Sequence, residues 1–135
     1  MTPHIAKALP DEDIQIFEKI RIAVDALPDL IDLGQNSNGK ILQINCHILA
    51  EATAITFGLQ RQSGFYYLSA EHSWVLTKTS NIIDVYPVAI YGGPILVANY
   101  SITGRIYCGK RIRPDLFGSD SFKKAVDIVV NELKK

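Results

Sequence analysis

The chain has 135 residues, 47% of them hydrophobic and 21% charged, with Lys+Arg and Asp+Glu equal at 14 each. These proportions fit one globular domain, residues 1–135, able to bury roughly 68% of its unfolded surface without staples. The charge balance supplies no basic field for a nucleic-acid partner, and two cysteines are too few for a disulfide framework.

The opening "MTPHIAKALPDEDIQ" lacks the apolar core of a secretory signal. The most apolar stretch, "PVAIYGGPILVA", is short and interrupted by Gly92-Gly93-Pro94, so no membrane span is expected. The expectation is a cytoplasmic protein, or one exported by a signal-less route.

In chain order, "DEDIQIFEKIRIAVDAL" starts with acidic residues suited to a helix N-terminus and then repeats Ile14, Phe17, Ile20 and Val24 at helical spacing. It predicts a helix over Asp11–Ala26, stopped before Pro28. "GQNSNGK", Gly34–Lys40, is a polar loop flanked by glycines. A second helix is expected from Cys46 to Phe57, with Asn45 as N-cap and Gly58 as its stop. Cys46 then stands in the first helical turn.

From Gly64 the pattern turns to short aromatic and β-branched runs: "GFYYLSA", "HSWVLTK", "NIIDVYP", "PILVANY" and "RIYCGKRI". "SDSFKKAVDIVVNELKK" returns to helical periodicity, with Phe122, Val126, Val129 and Leu133 on one stripe. Consecutive strands with short turns and helices set apart from them indicate an α+β fold: an antiparallel sheet with a Cys-bearing helix packed on it.

Three residues carry chemistry. A thiol at a helix start is favoured as thiolate, and the unused N–H groups of that turn can face an oxyanion. Cys46 therefore reads as nucleophile, His72 as general base and Asp84 as the residue that orients the ring. The hairpin register decides whether the last two meet. A two-residue Thr79-Ser80 loop puts His72 and Asp84 on opposite faces. A three-residue Lys78-Thr79-Ser80 loop pairs Thr77 with Asn81 and sets Trp74 opposite Asp84. His72 and Asp84 are then diagonal neighbours at about 7–8 Å, a gap side chains can close. That loop needs a residue tolerant of the left-handed region, Ser80 or Asn81.

The order of a Cys at a helix start, "HSW" opening a strand and "IIDVYP" on the next strand resembles the papain-like and transglutaminase-like thiol enzymes. The layout is also similar to small transglutaminase-like leader peptidases and to bacterial glutamine-deamidating effectors. The resemblance covers Asn45 to Tyr86. It implies a Cys46-His72-Asp84 triad that cleaves, deamidates or transfers an acyl group from a protein or peptide amide through a thioester. It calls for no metal and no cofactor. Papain-like enzymes complete the oxyanion hole with an upstream glutamine; Gln43, Asn45 and Gln35 are the candidates here, and no CGSCW-type sequence surrounds Cys46. The alternative is a non-catalytic peptide-binding module on the same fold.

Other features read as structural. Cys108 is a small core residue. His47 is a partly exposed helix residue, and Glu51 a solvated one. Zinc on Cys46, His47, His72 and Asp84 is disfavoured because adjacent helical residues point about 100° apart. Trp74 is either a shield for the His–Asp pair, the anchor of the sheet core, or both. "YGGPIL" lacks the lysine and helix of a phosphate loop, and "GKRIRP" is a solvating basic patch.

Overall fold

Helix α1 (Asp11–Asp25) and the Cys-bearing helix α2 (Cys46–Phe57) precede five strands, β1 (Gln60–Tyr66), β2 (Ala70–Leu76), β3 (Ile82–Asp84), β4 (Ile95–Val97) and β5 (Tyr107–Gly109). Helix α3 (Asp120–Leu133) follows. The computed structural model describes residues 9–66, 70–86, 94–99, 101, 107–109 and 118–135. All strand pairings are antiparallel, in the order β4-β3-β2-β1-β5, so the α+β class holds. No described helix is long and apolar enough to cross a membrane.

Helix α2 obeys its local signals. The Asn45 side chain accepts from the Ile48 N–H at 2.9 Å, and Gly58 closes the helix in the left-handed region at φ 67°. Seven of its residues, His47 to Ala50 and Ala52 to Ala54, are buried. A helix apolar on nearly every side must be covered on more than one, and α2 lies between α3 and strands β1 and β2. Ile48, Leu49, Val75, Ile83, Val85, Val126 and Val129 share this main core with Ile20 of α1. The predicted α3 stripe, Phe122, Val126, Val129 and Leu133, is buried throughout.

The first strand departs from expectation. It begins at Gln60, upstream of Gly64, and "GFYYLSA" is divided: Gly64 to Tyr66 end β1 and Ala70 opens β2, with Tyr66 paired to Ala70. "QRQS" carries no hydrophobic alternation, because both faces hold polar residues: Gln62 bonds Trp74 on the concave side and Ser63 bonds Ser73 on the helix-facing side. Tertiary pairing rather than propensity makes it a strand. Tyr91–Gly93 of "YGGPIL" and Lys110–Pro114 of "GKRIRP" lie outside the described residues.

The sheet is strongly curled. Tyr107 and Asp84 sit on strands three spacings apart, about 14 Å across a flat sheet, yet the Tyr107 hydroxyl donates to Asp84 Oδ2 at 2.7 Å. The face carrying His72, Trp74, Ile82, Asp84, Val97 and Tyr107 is thus concave, with its own small core of Trp74, Ile82, Val97 and Tyr107. The helices cover the other face.

Candidate active site

The hairpin adopts the three-residue loop. Val75 pairs with Ile83 and Leu76 with Ile82, while the Thr77 N–H donates to the Asn81 carbonyl at 2.9 Å. Ser80 takes the left-handed conformation the loop demands, φ 65°. This register places His72, Trp74 and Asp84 on one face.

His72 and Asp84 meet there. His72 Nε2 lies 2.9 Å from Asp84 Oδ1 and 2.8 Å from Oδ2, and Asp84 is wholly buried. A buried carboxylate persists only with its oxygens satisfied, and Asp84 receives His72 and the Tyr107 hydroxyl. Trp74 is fully buried with its ring 6.0 Å from that of His72, and its Nε1–H donates to Gln62 Oε1 at 2.9 Å. It packs edge-on against Tyr107 at 5.1 Å. The aromatic pair keeps water from the His–Asp contact, so Trp74 is both core anchor and shield.

Cys46 occupies the first position of α2, half-buried and unpaired by any disulfide. Its N–H has no intrahelical acceptor. Burial pushes the thiol up, but hydrogen bonds with His47 and His72, and the charge of both rings, outweigh it and lower the thiol to about 6. Burial likewise pushes His72 down. Its hydrogen bonds to Asp84 and Cys46, with the charges of both, raise it to about 9. Between those values the pair is a thiolate facing an imidazolium. With Nε2 committed to Asp84, Nδ1 is the ring atom left for the sulfur.

The remaining sequence candidates sit as follows. Asn45 spends its side-chain oxygen on the helix cap. Gln43 is exposed on the extended segment leading into α2. Gln35 is exposed and forms a β-bridge with Ile41. Cys108 is half-buried on β5 opposite Phe65. No group of three or more His, Cys, Asp or Glu in a metal-holding arrangement occurs among the described residues.

Two surface assignments need correction. His47 is 8% exposed rather than the partly exposed helix residue expected, because its ring turns inward to bond Ser73 Oγ at 2.7 Å. Glu51 is half-buried and accepts from Arg61 Nε at 2.8 Å. Tyr107, the third partner of the His–Asp pair, was not legible: the contact spans separate strands and depends on curling. Asp13 was read only as a helix-start charge. It is 1% exposed, and its Oδ2 accepts from Thr77 Oγ1 at 2.9 Å, Asn81 Nδ2 at 2.8 Å and the Thr79 hydroxyl. These residues form the hairpin turn whose register aligns His72 with Asp84.

No protein family, curated protein or solved structure matches this chain.

Proposed function

We propose that this chain is a thiol enzyme of papain-like or transglutaminase-like architecture, acting on a carboxamide or peptide carbonyl of a protein or peptide. The reading rests on one observation: a buried aspartate holds with both its oxygens the ring nitrogen of His72, on the hairpin register that three residues of turn impose, and Cys46, at the start of its helix, has its thiol lowered to about 6 by His47 and His72.

The Cys46 thiolate attacks the carbonyl carbon. The Cys46 N–H, with a side-chain amide from Gln43, Asn45 or Gln35, receives the developing oxyanion. Collapse breaks the C–N bond as the His72 imidazolium gives its proton to the leaving amine or ammonia, and a thioester remains. Neutral His72 then takes a proton from water, or from an acceptor amine, as that nucleophile attacks. Thiolate is regenerated as the acid or the new amide departs. Asp84 keeps the ring in the tautomer and orientation both half-reactions need.

The test is a panel of glutamine-containing peptides read by mass spectrometry for cleavage, for deamidation and for incorporation of an added amine. One of these products should form with wild type and vanish in Cys46→Ala. Product that persists in Cys46→Ala contradicts the mechanism. Tight peptide binding without any product favours the alternative, a binding module on this fold.

A further inference from the structure

We propose that the hairpin-turn end of the concave sheet face is a second ligand site, a cavity that takes an uncharged peptide amide through the Gln62 side chain, apart from the thiol. The inference goes beyond the thiol-enzyme reading and does not depend on it.

The cavity measures about 470 Å³ and is lined by Gln62, Leu76, Ser80, Ile82, Asn99 and Tyr107. That volume lies within the range of small-molecule sites. Cys46, His72 and Asp84 are not among its walls, so it is distinct from the candidate active site. Tyr107 belongs to both, since its hydroxyl donates to Asp84.

The Gln62 amide is held in one orientation. An indole N–H can only donate, so the atom 2.9 Å from Trp74 Nε1 is Gln62 Oε1. The other end of the amide lies against β5: a Cβ placed on Gly109 would stand 2.7 Å from Gln62 Nε2 and 2.8 Å from its Cδ. Glycine at 109 thus leaves the room that the amide occupies. Among the described residues, Gln62 Nε2 has no acceptor. Asn99, just past β4, is fixed likewise. Its Nδ2 donates to the Ser80 carbonyl at 2.9 Å and its backbone N–H to Asn81 Oδ1 at 3.2 Å, which leaves Asn99 Oδ1 unspent. One cavity therefore holds a positioned amide donor, a carbonyl acceptor and the apolar walls Leu76, Ile82 and Tyr107.

The ligand chemistry follows from that lining. None of these side chains is charged near neutral pH, so a charged ligand would lose hydration without gaining a counter-charge. A peptide amide accepts through its carbonyl and donates through its N–H, matching Gln62 Nε2 and Asn99 Oδ1. An apolar side chain beside it meets Leu76 and Ile82. The ligand class is thus a neutral peptide segment with an apolar side chain. N-acetyl-leucinamide is a small stand-in for it, and free leucine is the same body carrying two charges.

Trp74 is the chain's single tryptophan, and its indole N–H signal in 15N-labelled protein reports directly on Gln62. N-acetyl-leucinamide should move that signal saturably, with a Kd on the order of millimolar for a ligand of this size; free leucine should not. Gln62→Glu keeps an oxygen for the indole but loses the donor, and should weaken binding about 10-fold. Gly109→Ala should shift the indole signal of the free protein and weaken binding, because the amide is displaced. Cys46→Ala should bind like wild type. Absence of saturable movement, equal binding of free leucine, or full affinity in Gln62→Glu overturns the proposal. Loss of binding in Cys46→Ala does so too, since the ligand would then sit at the thiol. Retained binding with no product from any amide would support this inference and count against the enzyme reading alone.

Discussion

Asp13 and Asn81, on α1 and at the foot of β3, are joined by a buried hydrogen bond of 2.8 Å from the amide to the carboxylate. The same oxygen holds the Thr77 and Thr79 hydroxyls, so the turn is fastened to a helix remote in sequence. Register in a hairpin is set by its turn, and a one-residue slip would move His72 and Asp84 to opposite faces. Asp13 is therefore a positioning residue for the candidate site, acting through the hairpin.

Replacing Asp13 by Ala leaves three donors without their buried acceptor. Each unsatisfied group costs about 1–3 kcal/mol, partly recovered by relaxation, so the loss in urea unfolding should be at least about 2 kcal/mol. Cys46 alkylation in the folded variant should also slow. Unchanged stability would show that the turn holds its register alone.

Asp84→Asn keeps the shape but removes the charge that raises His72. Turnover should fall by about 10²–10⁴-fold, the usual weight of a positioned acid–base group. Tyr107→Phe removes one donor to Asp84 and should cost about 1 kcal/mol of stability with a smaller loss of rate. Equal activity of Asp84→Asn and wild type would make Asp84 a structural strand residue.

The pH dependence of stability separates the two partners. His72, raised from 6.5 to about 9, contributes stability that is full below 6.5 and is lost as pH climbs to 9. Cys46, lowered from 9.0 to about 6, contributes stability that is full above 9 and is lost as pH falls toward 6. Between pH 6.5 and 9 the two slopes oppose, and the pair adds little net dependence. Cys46→Ala removes one slope and leaves His72 raised by Asp84, so its melting temperature should fall with rising pH across that window more steeply than that of wild type. Parallel curves would mean that the ion pair is not formed.

Local chemistry made much of this legible. Asn45 and Gly58 bracket α2 at the expected residues because caps are short-range signals. The turn was legible only in part: the sequence admits a two- or a three-residue loop and offers Ser80 or Asn81 for the left-handed position, which Ser80 takes at φ 65°. The polar network was hidden for the opposite reason. His47, Ser63, Ser73, Arg61 and Tyr107 find partners across strands or between helix and sheet, and no local signal reports such pairings. β1 was placed too late since its polar inward residues mimic a loop. Gln35, Gln43 and Asn45 are all polar residues close to Cys46 in sequence, so local pattern does not choose among them.

The most direct test is the pH dependence of Cys46 alkylation by iodoacetamide, read by mass spectrometry with Cys108 labelled in the same sample. A thiolate midpoint near 6 in wild type, moving upward in His72→Ala, is the predicted result. A midpoint at about 8.5, the ordinary thiol value, in both proteins would contradict the account.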